Sequence, residues 1–477
     1  MIHLQLPASE LRLALAGLGK VVCRRSTLPV LGCVLITRQN DQLTLRATDL
    51  DTWAIYTCKE PHLGEDASLV VAFKDLQTVV KNVPSQESIQ LQNNEGKVSA
   101  RYHLNGTAID QPLETVPVVD FPSFKSLEGK SIPLDAKCRQ SILQAFECSS
   151  TDEQRYILNG IYLDVSNKGG HYVVATDGRH LYSSNSFKLP LKESVLIPNH
   201  KLWSWPILRQ SVDEWLLRTE PSKEKEAGRI EIASGPWTFT FRQIEGNFPN
   251  WRQVIPTDQG KSVAELSEES LQFINDTVSH LPDSGSNDQP ISLRLDAQGL
   301  RLFTPKSDKS WTELSVPSSK ATGTPLTIHI NRQYLLKAAR FGLRRIEMTD
   351  RLSPLRFIEA GRKMVVMPLR TTFAGEPSIE TQPPQTSESA PVAIPQPQEP
   401  MTDKPKTNPT PVTEEAPSAI TNAITQIEPI REALRGALRQ TNDLVDALKQ
   451  AAKDQRQVER EIHSVRSTLR TLQKVQL

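Results

Sequence analysis

Aromatic side chains are scarce in this chain of 477 residues, and long apolar runs are missing. Aromatics make up 6% and hydrophobic residues 38%, while prolines number 34. That balance is low for a wholly globular chain, so we expect one part to be folded and another to be Pro-rich and unstructured. No stretch approaches the roughly 18 apolar residues of a membrane-spanning helix. Because Glu10 and Arg12 also interrupt the N-terminal apolar stretch, we expect no signal peptide, no membrane partner, and a soluble, cytoplasmic protein.

An excess of charge of one sign is also missing. Lys and Arg number 56 and Asp and Glu 55, which gives a net charge of +1. This balance excludes a protein that holds nucleic acid by charge alone, and it excludes an acidic solvating chain. A local basic patch remains compatible with it.

Cysteine is sparse and shows none of the spacings of a zinc or disulfide site. The five cysteines contain no Cys-x-x-Cys pair: Cys23, Cys33, Cys58, Cys138 and Cys148. Nine histidines are present, and none lies at the usual spacing of metal ligands. We therefore expect buried free thiols in a reducing compartment, no metal and no cofactor.

Proline is concentrated late in the chain. Eleven of the 34 prolines fall between Pro377 and Pro417, among Thr, Ser, Gln and Glu, which predicts a disordered linker over 373–417. Residues 418–477 then carry a stripe of apolar or small residues at alternating steps of three and four, at Leu434, Leu438, Thr441, Val445, Leu448, Ala452, Val458, Ile462, Val465, Leu469 and Leu472. The stripe predicts an amphipathic helix or coiled coil that packs on itself or on an unknown partner. The alternative is a marginal, partly frayed helix.

The part of the chain before this linker, over 1–372, nearly repeats itself. Thr48, Thr176 and Thr304 each follow a short apolar stretch, and they stand at equal intervals along the chain. Each repeat also holds two amphipathic stretches, which predict helices over 10–18, 76–83, 136–146, 200–208, 268–278 and 332–341. Alternating stretches between them predict half-buried antiparallel strands. The sequence therefore predicts an α+β fold of three similar domains, over 1–127, 128–262 and 263–372.

Enzyme signatures do not occur in the sequence. There is no Gly-rich phosphate loop, no His-Glu-x-x-His and no Gly-x-Ser-x-Gly. Asp49 and Asp177 could suggest paired catalytic acids. They hold equivalent places in two repeats, however, so a role in a turn is favoured over catalysis. We expect a protein that is not an enzyme.

A set of short motifs in order along this repeat resembles the bacterial sliding clamps, the beta subunits of the replicative DNA polymerase III. The motifs are Arg25-Ser26-Thr27-Leu28-Pro29-Val30-Leu31-Gly32, Ala47-Thr48-Asp49-Leu50, Asp120-Phe121-Pro122, Arg155-Tyr156-Ile157-Leu158-Asn159-Gly160, Val174-Ala175-Thr176-Asp177-Gly178-Arg179-His180-Leu181, Asn247-Phe248-Pro249-Asn250-Trp251 and Val365-Val366-Met367-Pro368-Leu369-Arg370. Each motif is weak alone, and together on a threefold repeat they are specific. The resemblance ends near Arg370, so it says nothing about the rest of the chain.

The resemblance implies a processivity factor for DNA replication. Two chains would close head to tail into a homodimeric ring around double-stranded DNA, with twelve helices lining the hole. The ring would do no chemistry and would read no base sequence. It would tether DNA polymerase, the clamp loader and other DNA enzymes through short peptides.

The resemblance also implies a peptide-binding cleft between the second and third domains. Its matched positions are Leu158, Thr176, Gly178, Arg179, His180, Leu181, Pro249, Val254, Val365, Met367, Pro368 and Leu369. Aliphatic anchors in an apolar pocket with a polar rim suit such a site. The competing interpretation is that these are ordinary core and turn residues. The order Arg179-His180, where the family usually has His-Arg, together with Gln253 and Pro354, predicts that the preferred peptide differs from the usual one.

The predicted DNA contacts are Arg24, Arg25, Arg155, Tyr156 and Lys201. Basic residues on or beside helices can meet phosphates without reading bases, although most surface charges simply face solvent. The alternative function is a clamp-derived interaction scaffold that no longer closes around DNA. Polar Gln111 and Ser279 favour it, because apolar contacts would be expected at these approximate positions of the ring interface.

Overall fold

The structure is a computed structural model that describes residues 2–370 except 95–96, 168, 224–225, 282–288 and 306–310. The predicted linker over 373–417 and the predicted helix over 418–477 lie outside the described residues. Within the described part, no helix is both long enough and apolar enough to cross a membrane.

Helices and antiparallel strands make up the described chain, as the sequence predicted. The α-helices are α1 (Ala8–Leu18), α2 (Phe73–Asn82), α3 (Ala136–Phe146), α4 (Pro206–Gln210), α5 (Glu268–Val278) and α6 (Arg332–Arg340). Short 3-10 helices span Pro29–Gly32, Val118–Asp120, Glu153–Leu158, Lys201–Ser204 and Trp251–Val254.

The strands of the first part of the chain are β1 (Ile2–Pro7), β2 (Cys33–Gln39), β3 (Gln42–Thr48), β4 (Thr52–Thr57), β5 (Ala67–Ala72), β6 (Ser88–Asn94), β7 (Lys97–Leu104) and β8 (Thr107–Pro112). The middle strands are β9 (Ile132–Leu134), β10 (Gly160–Asp164), β11 (Tyr172–Thr176), β12 (His180–Ser184), β13 (Val195–Pro198), β14 (Trp215–Glu220), β15 (Arg229–Ser234) and β16 (Trp237–Arg242). The last are β17 (Ser262–Leu266), β18 (Pro290–Asp296), β19 (Gly299–Pro305), β20 (Trp311–Ser315), β21 (Ser319–Gly323), β22 (Leu326–Asn331), β23 (Arg345–Met348), β24 (Leu355–Glu359) and β25 (Arg362–Val366).

Side-chain caps fix the start of three helices. Asp135 accepts a hydrogen bond from the backbone N–H of Cys138 at the start of α3, and Ser267 accepts one from Ser270 at the start of α5. Asn331 does the same for α6. Each cap satisfies a backbone donor that the first helical turn leaves without a partner. Helix α1 differs, because it begins at Ala8, two residues before the predicted start, and Pro7 provides no side-chain cap.

The helix predicted over 200–208 is wrong as a single element. The structure has a 3-10 helix over Lys201–Ser204 and the short α4 over Pro206–Gln210. Pro206 has no backbone N–H, and its ring would clash with the carbonyl four residues earlier in a continuous helix. It also forces Trp205 into an extended conformation, with φ −72° and ψ 121°. The break therefore follows from one proline.

Four antiparallel sheets carry the strands, and the two larger ones join neighbouring repeats. The eight-stranded sheet has the order β5-β2-β3-β4-β16-β15-β14-β9, and the nine-stranded sheet has the order β13-β10-β11-β12-β25-β24-β23-β17-β21. The junctions are the pairs β4–β16 and β12–β25. Two four-stranded sheets, β1-β6-β7-β8 and β20-β19-β18-β22, complete the set. The three-domain division stays a prediction.

The helices pack on these sheets through their apolar faces. Leu11, Leu15 and Leu18 of α1 are buried, and so are Leu271 and Ile274 of α5. In the first and third repeats the helices pack in pairs, since α1 contacts α2 and α5 contacts α6. This arrangement buries one face of each helix, as the spacing of the apolar residues predicted.

Candidate functional site

A cavity of about 190 Å³ lies where the second and third repeats meet, and it collects most of the predicted cleft residues. Ten of the twelve line it: Leu158, Thr176, Gly178, Arg179, His180, Leu181, Pro249, Val254, Val365 and Met367. Pro368 and Leu369 are not in its lining. Phe248, Asn250 and Trp251 line it as well, and sequence reasoning missed these three although they stand beside Pro249 in one of the clamp motifs.

Strand pairing between β12 and β25 builds the floor of this cavity. Leu181 pairs with Val365 and His180 with Val366, and the backbone N–H of Met367 donates to the carbonyl of Arg179 over 3.0 Å. Two segments that lie far apart in the chain therefore share one sheet. The cavity depends on that junction and not on either repeat alone.

The cavity has a buried apolar floor and a partly exposed apolar rim. Val365 and Leu181 are 1% and 3% exposed, whereas Met367 and Val254 are 39% and 37% exposed. Exposed apolar side chains next to a hollow gain free energy when a ligand covers them. The arrangement suits an aliphatic or aromatic anchor residue of a peptide.

A tight turn between β11 and β12 shapes one edge of the cavity. Thr176 accepts a hydrogen bond from the backbone N–H of Gly178 and donates to the carbonyl of His180. Gly178 has φ +86°, and a Cβ atom there would lie 2.7 Å from Nη1 of Arg155. The positive φ favours glycine at this position, whereas the guanidinium is the end of a flexible side chain and could move aside.

The same turn recurs in the first repeat, and it shows what Asp49 and Asp177 do. Thr48 accepts from the backbone N–H of Leu50 and donates to the carbonyl of Thr52, and Asp49 accepts from the N–H of Thr52. Asp177 likewise accepts from the N–H groups of the residues that follow it. The turn role predicted for both aspartates is confirmed.

A buried carboxylate supports the wall opposite this turn. Asp164 accepts a hydrogen bond from Nε1 of Trp251 over 2.9 Å and lies 2.8 Å from a guanidinium nitrogen of Arg252. Burial alone would raise the pKa of Asp164, but hydrogen bonds from Ser166 and Trp251 and the charge of Arg252 hold it below its ordinary value. Trp251 is thereby fixed as a rigid wall of the cavity.

His180 is buried at the other side of the junction, against charged groups of α6. Its Nδ1 lies 2.8 Å from Oδ1 of Asp177, its Nε2 lies 3.1 Å from Nζ of Lys337, and its ring stacks on Tyr334 with centroids 4.3 Å apart. Burial lowers the pKa of His180 most, and Lys337 lowers it further. Burial would raise the pKa of Asp177, but the hydrogen bonds from His180 and nearby amides hold it well below its ordinary value.

Glu147, at the end of α3, ties the same junction together from the helical side. Its carboxylate lies 2.7 Å from Arg209 and 3.2 Å from Arg340, and its carbonyl accepts from Nζ of Lys337 over 2.6 Å. Three helices, α3, α4 and α6, therefore meet at one acidic residue. These contacts fix α6, and with it Tyr334 and Lys337, relative to the second repeat.

The residues predicted to contact DNA are exposed but do not converge on one pocket. Arg24 and Arg25 lie in the segment after α1, Arg155 and Tyr156 in the 3-10 helix Glu153–Leu158, and Lys201 at the start of another 3-10 helix. Arg155 also lies beside Gly178 at the edge of the cavity. Their contact with DNA stays a prediction.

Residues 3–125 match the family of DNA polymerase III beta subunit N-terminal domains. The beta sliding clamp of Pseudomonas putida is 27% identical over 390 residues, which covers 77% of this chain and 100% of the relative. The beta sliding clamp of Pseudomonas aeruginosa is 26% identical over 351 residues, covering 70% of this chain and 89% of the relative.

Solved structures resemble the same part of the chain. The DNA polymerase III subunit beta of Pseudomonas aeruginosa matches with a TM-score of 0.66 and 25% identity, over 78% of this chain and 100% of that one. The DnaN sliding clamp of Bartonella birtlesii, solved bound to griselimycin, gives the same TM-score, identity and coverage.

Proposed function

We propose that this chain acts as a DNA sliding clamp, because its described part resembles the bacterial beta sliding clamps in sequence and in fold. In this role it encircles duplex DNA and tethers DNA polymerase and other DNA enzymes through the cavity between the second and third repeats. The observation that carries the proposal is the match along the whole length of the curated relatives together with that cavity. The clamp acts in the cytoplasm and catalyses no reaction.

The free edges of the small sheets support ring closure. Among the described residues, β1 and β8 are the two edges of one four-stranded sheet, and β20 and β22 are the two edges of the other. Pairing β8 of one chain with β20 of the next would give a head-to-tail homodimer whose sheets continue across the interface. Edge strands of this kind need a partner or a device that blocks pairing.

The polar side chains of β8 bear on how stable the closed ring would be. Arg101 on β7 pairs with Asp110 on β8 at 2.8 Å, and both side chains are about half exposed. Gln111 accepts from the hydroxyl of Tyr102. A polar edge binds a partner strand mainly by backbone hydrogen bonds, so the ring is expected to open more readily than one with an apolar interface.

The near-neutral charge of the chain fits retention of DNA by topology. A protein that neutralises many phosphates loses affinity steeply as salt rises. A closed ring needs only weak phosphate contacts, and weak contacts permit sliding. Exposed Arg24, Arg25, Arg155 and Lys201 can supply them.

Retention on circular DNA tests this function. The full-length protein is loaded onto nicked circular DNA by its cognate clamp loader and washed with salt. We expect it to persist on the circle, to leave after the circle is linearised, and to persist on linear DNA whose two ends are blocked by bulky bound proteins. Equal loss from the circle, the open line and the blocked line would refute encirclement.

The alternative is a clamp-derived scaffold that binds peptides without closing around DNA. The polar Gln111 and Ser279 favour it. The mass of the protein in solution at micromolar concentration distinguishes the two, because a monomer at all concentrations together with no retention on circles would leave only the scaffold function.

A further inference from the structure

Three side chains with metal-binding atoms converge in the first repeat, away from the cleft. They are Glu10 in α1, Cys58 directly after β4, and His62 in the loop that follows. Their carboxylate oxygen, thiol sulfur and imidazole nitrogen all lie within 4.8 Å of one another. The clamp function makes no use of this cluster.

His62 has a buried ring nitrogen that the described residues leave unsatisfied. This atom, Nε2, has no hydrogen-bond partner among them. Buried polar atoms without a partner are rare and costly, and a bound ion is one way in which such an atom is satisfied. The loop is held in place by backbone bonds, since the N–H of His62 donates to the carbonyl of Asp41 over 2.7 Å and that of Cys58 to Leu43 over 2.9 Å.

The Glu10 carboxylate is already oriented toward the other two groups. Its Oε1 accepts a hydrogen bond from the backbone N–H of Lys59 over 3.1 Å and one from the hydroxyl of Tyr56 over 3.3 Å. Hydrogen bonds of this kind fix the direction of a ligating carboxylate and raise metal affinity. The Glu10 carboxylate therefore connects the start of α1 to the segment that follows β4.

We propose that Glu10, Cys58 and His62 bind a zinc ion that fastens α1 to the loop after β4. A thiolate, a neutral imidazole and a carboxylate are all ligands that zinc takes, and a thiolate disfavours magnesium and calcium. The two negative ligands balance the charge of the ion. On binding, the Cys58 sulfur forms the bond to zinc and its proton leaves to solvent.

The geometry requires only a small rearrangement. Zinc bonds of about 2.0–2.3 Å place neighbouring ligand atoms roughly 3.5 Å apart in a tetrahedron. Because the three atoms lie within 4.8 Å of one another, they need to draw together by at most about 1.3 Å. Rotation of the half-buried Glu10 and His62 side chains supplies that movement.

The fourth position of the ion would be taken by water, which can reach the half-buried Glu10 and His62 from solvent. A cavity of about 270 Å³ adjoins Cys58 and is lined also by Thr57, Lys59 and, from the second repeat, Asp213, Gly235 and Pro236. Neither Glu10 nor His62 lines that cavity.

Metal analysis of the full-length protein tests the site. The protein is stripped with a chelator, dialysed against zinc or cobalt, and compared with Cys58→Ser and His62→Gln, with Cys23→Ser as the matched control because Cys23 is a half-buried thiol outside the cluster. We expect one zinc per chain and a thiolate-to-cobalt charge-transfer band in wild type and in Cys23→Ser. Zinc affinity should fall more than about tenfold in His62→Gln, and the band should vanish in Cys58→Ser.

A stripped, folded wild type that takes up neither metal would overturn the proposal, and so would a charge-transfer band that survives in Cys58→Ser. A second measurement covers variants that fail to fold. Alkylation of the wild type, mapped by mass spectrometry, should slow at Cys58 but not at Cys23 when zinc is added. Equal rates at Cys58 with and without zinc would also overturn it.

Discussion

Replacing Met367 by alanine should weaken peptide binding at the cleft while leaving the protein folded. Met367 is 39% exposed at the cavity rim, and full burial of a methionine side chain is worth about 1.5–3 kcal/mol. A peptide that covers the exposed part therefore gains roughly 0.6–1.2 kcal/mol from this residue. Anchor residues commonly exceed that figure because they also pack directly on the ligand. We expect a loss of about 1–2 kcal/mol, a rise in Kd of roughly 5- to 30-fold.

Fluorescence anisotropy with a labelled peptide from a partner polymerase measures that change. Met367→Leu is the control of similar volume and should bind within about threefold of wild type, since such swaps are tolerated best. Leu63→Ala removes an exposed apolar side chain outside the cleft and should have no effect. The backbone bond from Met367 to Arg179 remains in every variant, so thermal melts should show folded proteins. Unchanged affinity in folded Met367→Ala for every partner peptide would refute the assignment of the cleft.

Two further predictions concern stability. Burial lowers the pKa of His200 to about 4, below the roughly 6.5 of an unfolded histidine. The stability that neutral His200 contributes is therefore fully present above pH 6.5 and is lost as the pH falls to about 4, by roughly 3 kcal/mol. His200→Asn, which can keep the helix cap, should flatten that fall in denaturant titrations at stepped pH, and an equally steep fall would contradict it. Gly178→Ala should destabilise by about 1–3 kcal/mol, and Gly106→Ala by a similar amount, because both glycines have positive φ. The guanidinium near Gly178 is the end of a flexible side chain and can move aside, so a much larger loss for Gly178→Ala in thermal melts would contradict this reasoning.

The sequence predicted the helices and the turns well because local signals determine them. The spacing of apolar residues was enough to place α3, α5 and α6, and the structure adds that Asp135, Ser267 and Asn331 cap them. The exception was the second helix of the middle repeat, where the amphipathic pattern was given more weight than Pro206. Proline removes a donor and fixes φ, so it ends a helix whatever the periodicity around it.

The cleft could be predicted only through the resemblance, because its walls come from distant segments. Nothing local to Leu181 or Val365 indicates that β12 and β25 share a sheet. Trp251 was missed because a tryptophan in a short motif is not distinguishable from core until its partner Asp164 is known. The proposed zinc site was not predicted from the sequence for the same reason, because its third ligand, Glu10, lies in a helix much earlier in the chain than Cys58 and His62.

The junction between the first and second repeats, where β4 pairs with β16, differs from the cleft junction in the size of one side chain. Shifting by the interval between Thr48 and Thr176 places Trp53 at the position of Leu181 and Leu50 at that of Gly178. Trp53 packs against Phe121 and Phe124, with ring centroids 6.1 and 5.0 Å apart. The large ring of Trp53 therefore stands at the first junction in the place that Leu181 has at the second. Both junctions share antiparallel strand pairing and the same kind of turn, so the larger side chain of Trp53 leaves less room for a peptide anchor at the first junction than Leu181 leaves at the second.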